Sequence, residues 1–339
     1  MIQFREGDFV ESVEGLIFDV KGLIHPKDRV IAYVRYVPDP LGDRVRENLR
    51  YRKIYELSER FRFLSENYPQ YLFHDPFIGE AVEAIPRWMI KSFYKPEFKL
   101  AEMVRKCKEL NSIEGLALKL ALTLRDEANI PLDKIGISGS ILIGLHNQSS
   151  DLDIIVYGYR NCLKVYEALK TLRQLNVLES CTKIIDKLYR FRSRETPIPF
   201  NIFRNIEEGK LLQGLFHGKE YFIRLVKDYD EVDEKYGDKK YRNLGRIILK
   251  AKITNDSESM FTPCRYLIDD VEIVEGTHYP VKEITSFRGR FCEQARIGDR
   301  VIVGGKLEEV EFKGEKYYRV ILGGGGDYIM PLPAVSSFT

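Results

Sequence analysis

The residues best suited to chemistry lie in the segment ISGSILIGLHNQSSDLDIIVYG, residues 137–158. Gly139 and Ser140 are a tight-turn signal, and Asp151 and Asp153 stand on an apolar run typical of a strand. Aspartate is a poor strand former, and two strand residues separated by one residue share a face. Two like charges about 4 Å apart repel by about 4 kcal/mol at an effective dielectric constant of about 20. A bound cation would offset that repulsion, so we expect one here.

The order and spacing of these residues resemble those of the nucleotidyltransferases related to DNA polymerase β. That family carries Gly-Ser, a further glycine four residues later, and Ser-Asp-x-Asp on the following strand. The matching positions here are Gly139, Ser140, Gly144, Ser150, Asp151 and Asp153. The resemblance covers residues 100–205, about a third of the chain. The flanking segments GLIFDVKGLIHP and SFRGRFCEQARIGD resemble an archaeal group of predicted nucleotidyltransferases.

The resemblance implies transfer of a nucleoside monophosphate from a nucleoside triphosphate, with release of pyrophosphate. Gly139 and Ser140 would offer backbone N–H groups to the terminal phosphates, because glycine lets the backbone approach closely. Asp151 and Asp153 would hold Mg²⁺ or Mn²⁺, and two ions would stabilise the attacking and leaving oxygens. ATP is the expected nucleotide. Arg224 would approach the phosphates if its strand, YFIRLVKD, borders the active sheet.

Two departures from the family pattern bear on activity. Active members often carry Ala-Arg after Gly-Ser, whereas this chain has Leu142 and Ile143, so a basic phosphate contact is missing or supplied from elsewhere. Active members also place a third carboxylate on the next strand, which helps to bind metal and deprotonate the attacking hydroxyl. The segment PIPFNIFRN, predicted as that strand, presents Asn201 there. Either this strand aligns differently, or the chemistry is altered, or it is lost.

Hydrophobic spacing predicts a helix, strand, strand, helix, strand order around the motif. Asn111 and Glu114 form a capping box for a helix that ends near Ala128. The predicted strands are KIGI, SDLDIIVYG, PIPFNIFRN and KEYFIRLVKD. This order predicts an α/β (α+β) nucleotidyltransferase core with a mixed sheet.

The segments on either side of this core have different patterns. The N-terminal residues indicate short strands separated by glycine and proline turns, and RVRENLRYRKIYELSERFRFLSENY then has helical spacing. Its amphipathic spacing favours packed aromatic rings together with an exposed basic face. Binding of single-stranded nucleic acid by stacking is the weaker interpretation. Strand-like runs after residue 246 predict an all-β, barrel-like (OB-like) domain. The predicted domains are 1–95, 96–245 and 246–339.

Composition narrows the classes of protein that the chain can represent. Its 339 residues are 44% hydrophobic, with a net charge of +2, so no global basic field indicates a nucleic-acid partner. The 5 cysteines are scattered without a CxxC pair, which argues against a structural zinc site or a disulfide framework. No apolar run approaches the roughly 20 residues of a membrane helix, and no signal core is present. We expect a cytoplasmic protein without membrane contact; no pattern specifies an oligomeric state.

Two hypotheses of function follow from these patterns. In the first, the protein is a metal-dependent nucleotidyltransferase whose acceptor is RNA, DNA, a protein side chain or a small molecule. An OB-like neighbour favours nucleic acid by analogy of fold alone. In the second, Asn201 marks altered chemistry, and the protein binds nucleotide or RNA without turnover.

Overall fold

The computed structural model describes residues 2–332, and these form a mixed α+β protein. The helices are α1 (Leu57–Asn67), α2 (Pro96–Arg105), α3 (Ser112–Ala128), α4 (Gly139–Leu142), α5 (Tyr159–Gln174), α6 (Ile185–Arg192) and α7 (Phe200–Gly209). The chain divides into two compact units, of which the first contains the described residues of Met1–Pro76, Glu80–Glu179 and Leu211–Tyr236. The second contains those of Phe77–Gly79, Ser180–Lys210 and Gly237–Thr339. The three-part division expected from the sequence stays a prediction.

A curled antiparallel sheet fills the N-terminal part of the first unit. Its strands are β1 (Phe9–Ser12), β2 (Ile17–Val20), β3 (Arg29–Pro38), β4 (Arg44–Arg46), β5 (Leu49–Lys53), β6 (Leu72–Asp75), β7 (Glu80–Pro86) and β8 (Ile90–Tyr94). The order is β4-β5-β3-β2-β1-β8, and β7 pairs with β3 and β6. One face buries Phe18, Val34 and Leu64 in a core that includes α1. The other face carries a second cluster, which includes Ile17 and Tyr36.

The segment from Arg44 to Lys53, expected to be helical, is instead the hairpin of β4 and β5. Glu47 and Asn48 connect the strands with φ angles of 50° and 67°. Two consecutive positive φ angles are typical of a two-residue hairpin turn, and asparagine tolerates them better than most residues do. The helix begins only at Leu57. The prediction of a helix was wrong here, because the arginines and tyrosines of this short segment fit the period of a strand as well as that of a helix.

A four-stranded mixed sheet forms the rest of the first unit. Its strands are β9 (Ile135–Ile137), β10 (Leu152–Tyr157), β11 (Gln213–Phe216) and β12 (Lys219–Val226), in the order β11-β12-β10-β9. The central pair, β10 and β12, is parallel, and the other two pairs are antiparallel. Helices α3 and α5 pack together and contact β10. The predicted capping box of α3 is confirmed, since the Asn111 side chain accepts from the Glu114 N–H and Glu114 reaches back.

The opposite face of the mixed sheet lies against the N-terminal segment. Leu23 packs against Ile155 and Tyr157 of β10. Gly7 lies so close that a Cβ placed there would be 2.2 Å from Cδ1 of Ile155. Because strand residues alternate between faces, Asp153 shares the face of Ile155. The N-terminal segment therefore covers the face that carries Asp153.

A β-rich region follows in the second unit. Its strands are β13 (Lys239–Glu258), β14 (Cys264–Glu275), β15 (Val281–Ser286), β16 (Arg300–Phe312), β17 (Glu315–Leu322) and β18 (Tyr328–Pro331). The order is β13-β14-β15-β17-β16-β18, and β13 also pairs with β16. The extra pairing closes five of the strands on themselves, with β15 and β17 running parallel. Within residues 2–332, no helix has the length and apolar composition required to cross a membrane.

Candidate functional site

The glycine turn and the acidic strand meet where β9 ends. Ile137 pairs with Ile154, and the next residue, Ser138, donates its N–H to the carbonyl oxygen of Asp153 at 2.9 Å. The chain then turns at Gly139 into the short helix α4, within which Ser140 is buried. Antiparallel pairing of β9 with β10 thus brings the turn directly beside the second aspartate.

Gly139 forms a cradle for the Asp153 carboxylate. Its φ angle is +61°, which favours glycine, and a Cβ placed there would lie 1.9 Å from Oδ2 of Asp153 and 2.7 Å from its Cγ. No side chain can occupy that space unless the carboxylate moves. The glycine is therefore required twice, for the backbone conformation and for the approach of the acid.

The two aspartates differ in environment. Asp151 lies just before β10, outside the strand expected to carry it, and is exposed, whereas Asp153 lies within β10 and is half-buried. Burial raises the pKa of Asp153 above its usual value. The cations of Arg224, Lys53 and Arg35 oppose that rise in pKa, in this order of strength. Basic groups from both sheets thus act electrostatically on the Asp153 carboxylate.

Arg224 is the basic group contributed by β12, and carboxylates of the N-terminal segment surround it. Its Nη1 lies 2.9 Å from Oε1 of Glu6 and 3.8 Å from Oδ1 of Asp19. Lys21 completes the group, with its Nζ 3.0 Å from Glu6 and 2.9 Å from Asp19. Burial, the largest influence, lowers the pKa of Arg224, but the carboxylates of Glu6, Asp19 and Asp153 raise that pKa above its usual value. Arg224 therefore stays charged beside Asp153.

Lys53, at the end of β5, is within electrostatic reach of both aspartates. Its pKa is lowered to about 8, first by burial and then by the like charge of Arg35. The carboxylates of Asp153 and Asp151 partly oppose that fall in pKa. The β4–β5 hairpin, which the sequence analysis did not predict, thus places the Lys53 cation near both aspartates.

Ser150 and Gly144 are held by arginines of the same hairpin. Arg44 donates from Nη1 to Oγ of Ser150 at 2.8 Å and to the carbonyl oxygen of Leu145 at 3.3 Å. Arg46 packs against Gly144, whose φ is +68°, with its Cδ 3.7 Å from a Cβ placed there. Both motif positions therefore fix the loop between α4 and β10, and the hairpin stabilises that loop.

The predicted placement of Asn201 is wrong. Residues Phe200–Gly209 form helix α7, and Asn201 is exposed on it, so it does not lie on a strand beside β10. Pro199 precedes the helix as its N-cap, and Phe203 is buried one turn into it. The prolines of PIPF favoured an extended segment in the sequence, but proline is equally suited to the start of a helix. The third-carboxylate position must therefore be sought elsewhere.

The strand that borders β10 in parallel is β12. Phe222 pairs with Asp153, and Arg224 pairs with Ile155. Because paired residues of parallel strands share a face, Phe222 and Arg224 lie on the face of the sheet that carries Asp153. Arg224 therefore lies on the strand next to that of Asp153, and its approach to phosphates stays a prediction.

The donor set beside Gly139 limits what metal could bind. Across residues 2–332 there is no cluster of three or more His, Cys, Asp or Glu side chains with metal-binding geometry. The motif supplies two carboxylates, Asp151 and Asp153, and Mg²⁺ commonly binds through one or two carboxylates together with substrate phosphates and water. The glycine cradle that leaves room for the Asp153 carboxylate fits this use. The arrangement therefore fits one ion that arrives with a phosphate ligand, and the second ion lacks an acidic ligand here.

Arg35, Lys53 and Arg44 are the site residues that reasoning from the sequence missed. The motif indicated the acids and the glycine, but these cations lie about a hundred residues earlier. For Arg44 and Lys53 the one local signal was Asn48, since asparagine tolerates the positive φ angle of a turn, and no local signal indicated Arg35.

Fold and site together define an α+β protein with a glycine-cradled acid on a mixed sheet. The chain is 32% identical over 332 residues to the uncharacterized protein MJ1086 of Methanocaldococcus jannaschii, an alignment that covers 95% of this chain and 96% of that protein. It therefore belongs to the same family as this archaeal protein. No protein-family model matches the chain, and no solved structure matches it.

Proposed function

We propose that the protein is a metal-dependent nucleotidyltransferase that moves a nucleoside monophosphate from a nucleoside triphosphate to an acceptor. The observation that carries the proposal is the packing of the Asp153 carboxylate on Gly139, where a Cβ would lie 1.9 Å from Oδ2. The sequence motif requires these two residues to meet, although 13 positions separate them. The pairing of β9 with β10, which brings the two residues together, supports a nucleotidyltransferase core for the mixed sheet.

Asp151 and Asp153 would hold Mg²⁺ or Mn²⁺ together with the phosphates of the nucleotide, ATP being the first candidate. Such an ion would withdraw charge from the reacting phosphate. Gly139 keeps the Asp153 carboxylate in place, and Ser150 anchors the preceding loop to Arg44. Arg224 supplies positive charge near Asp153, and the carboxylates of Glu6 and Asp19 keep it protonated.

The β-rich second unit bears on the choice of acceptor. The five strands that close on themselves in the second unit resemble an OB barrel, which commonly binds oligonucleotides. Yet the exposed side of β14 carries acidic side chains, namely Asp269, Asp270, Glu272 and Glu275. Asp270 pairs with Arg300 and Glu272 with Lys250, so that surface offers no excess of positive charge to a phosphate backbone. RNA and DNA therefore enter the acceptor screen beside protein and small-molecule acceptors.

Release of pyrophosphate from each nucleoside triphosphate, with Mg²⁺ or Mn²⁺ and a pool of acceptors, tests the proposal. Wild-type protein should release pyrophosphate, and Asp153→Asn should lose at least about 100-fold of that rate, because one ligand of the ion is removed. Asp126→Asn, an exposed aspartate on α3, is the matched control and should behave as the wild type. Equal rates for Asp153→Asn and wild type would refute the assignment.

The second candidate function is nucleotide binding without turnover. It is favoured by Phe222 and Arg224, which occupy the face of β12 where a third acid would be expected. Such a binder would retain a nucleoside triphosphate in equilibrium dialysis with Mg²⁺ and release no pyrophosphate over long incubation. Turnover with any acceptor would exclude it.

A further inference from the structure

Two half-buried cations at the site, Lys53 and Arg35, have no acidic partner within ion-pair distance. Neither forms an ion pair with any residue in 2–332, and the Arg35 guanidinium makes one long hydrogen bond, 3.5 Å from its Nη1 to the carbonyl oxygen of Ile54. A half-buried charge is costly unless another group compensates it. In the protein alone, these two cations are therefore compensated only in part, by aspartates that lie beyond ion-pair distance.

The neighbouring arginines are different, because each has a partner. Arg224 is 2.9 Å from Glu6, and Arg44 donates to Ser150 at 2.8 Å. Burial and the like charge of Arg35 both act on Lys53, so the two unpaired cations also repel each other. An arrangement that concentrates unpaired positive charge is what a bound anion would stabilise.

The fold holds Lys53 in place through aromatic packing. Lys53 pairs with Tyr36 across β3 and β5, and its Nζ lies 5.7 Å from the ring centre of Tyr36 and 4.8 Å from that of Tyr55. Tyr36 itself packs in one cluster with Leu142 and Leu145, which follow the glycine turn. The same packing therefore joins the cation to the segment that carries Gly139.

We propose that Lys53 and Arg35 form the polyphosphate subsite of the nucleotide site, so that the N-terminal sheet binds the phosphates of a nucleoside triphosphate. The segment after Ser140 has Leu142 and Ile143, both buried and apolar, and offers no basic side chain for this task. The guanidinium provides planar donors for phosphate oxygens, and the ammonium provides a point charge. This assignment rests on the proposed function, since it names the residues that recognise its substrate.

Isothermal titration of the full chain with ATP, AMP and tripolyphosphate tests the subsite, with Mg²⁺ and again with EDTA. Wild type should prefer ATP to AMP. Lys53→Met should weaken ATP binding by about 10- to 100-fold, the range for loss of a hydrogen bond between charged groups, and should change AMP binding far less. Lys53→Arg should restore most of the ATP affinity. Lys27→Met, an exposed lysine before β3, is the matched control.

Lys53→Gln and Arg35→Gln are measured in parallel, so that the result does not depend on one variant folding. A selective loss for ATP and tripolyphosphate in the Lys53 or Arg35 variants supports the subsite. Unchanged ATP affinity in folded Lys53 and Arg35 variants, with ATP bound by wild type, overturns the subsite and leaves the proposed function standing. Wild type that binds no nucleotide overturns both.

Discussion

Gly139→Ala is the sharpest test of the site, because it adds one methyl group at the contact that defines it. At a φ of +61°, alanine costs about 1–2 kcal/mol more than glycine. The added Cβ would also lie 1.9 Å from Oδ2 of Asp153, whereas ordinary van der Waals contact begins at 3.4 Å. The carboxylate must therefore move by about 1.5 Å, which costs about 1 kcal/mol if the side chain leaves its rotamer.

The expected result is a large loss of activity with a modest loss of stability. A displacement of about 1 Å at a reacting centre can cost about 100-fold in rate, so pyrophosphate release by Gly139→Ala should fall by at least that factor. The free energy of unfolding, measured with urea, should fall by about 2–3 kcal/mol, the sum of the backbone and rotamer costs. Mn²⁺ binding in the presence of nucleotide, followed by electron paramagnetic resonance, should weaken in parallel.

Gly218→Ala separates the two costs. Gly218 has a φ of +76° in the hairpin between β11 and β12, and no atom lies within 4 Å of a Cβ placed there. This variant should lose about 1–2 kcal/mol of stability and keep wild-type activity, because only the backbone conformation is affected. If Gly139→Ala retained activity within about threefold of Gly218→Ala, the carboxylate would not need its present position, and the reasoning would be refuted.

Two further predictions concern the buried side chains of Glu83 and Arg44. Burial raises the pKa of Glu83 from 4.5 to about 7, so wild-type stability should decline relative to Glu83→Gln as the pH rises from 4.5 through about 7. In urea titrations at several pH values, the difference in unfolding free energy between wild type and Glu83→Gln should change by about 3 kcal/mol. The difference between wild type and Glu127→Gln, an exposed substitution on α3, should not change. Arg44→Met should lower the unfolding free energy by about 1.5–3 kcal/mol, because buried Ser150 loses its charged donor at 2.8 Å. Arg50→Met, an exposed change in the same hairpin, should lie within about 0.5 kcal/mol of wild type in that assay.

Short-range sequence patterns predicted several helices and strands of the fold. The capping box at Asn111 and Glu114 identified the start of α3, since both hydrogen bonds of that motif form within one turn. Alternation and turn residues indicated the strands on either side of Gly139. These features depend on neighbours within a few positions, so the sequence pattern contains the physical cause.

The errors arose where distant packing or an ambiguous short segment decided the outcome. Asn201 was placed on a strand because proline suits both extended segments and helix starts, and burial of Phe203 on one face of α7 favours the helix. Lys53 could not be assigned to the site, because its link to the glycine turn depends on the packing of Tyr36 in one cluster with Leu145, about a hundred residues further along the chain.

The charge balance of the site favours a metal–nucleotide complex as the ligand over a nucleotide alone. Four carboxylates and five cations contribute to the electrostatics of this region: Asp151, Asp153, Glu6 and Asp19, against Arg224, Lys21, Lys53, Arg35 and Arg44. Because these charges nearly balance before any ligand enters, a triphosphate alone would add an excess of negative charge beside two aspartates. A divalent cation that enters with the nucleotide would remove most of that excess. ATP should therefore bind more tightly with Mg²⁺ than with EDTA, and equal ATP affinities under the two conditions would refute this expectation.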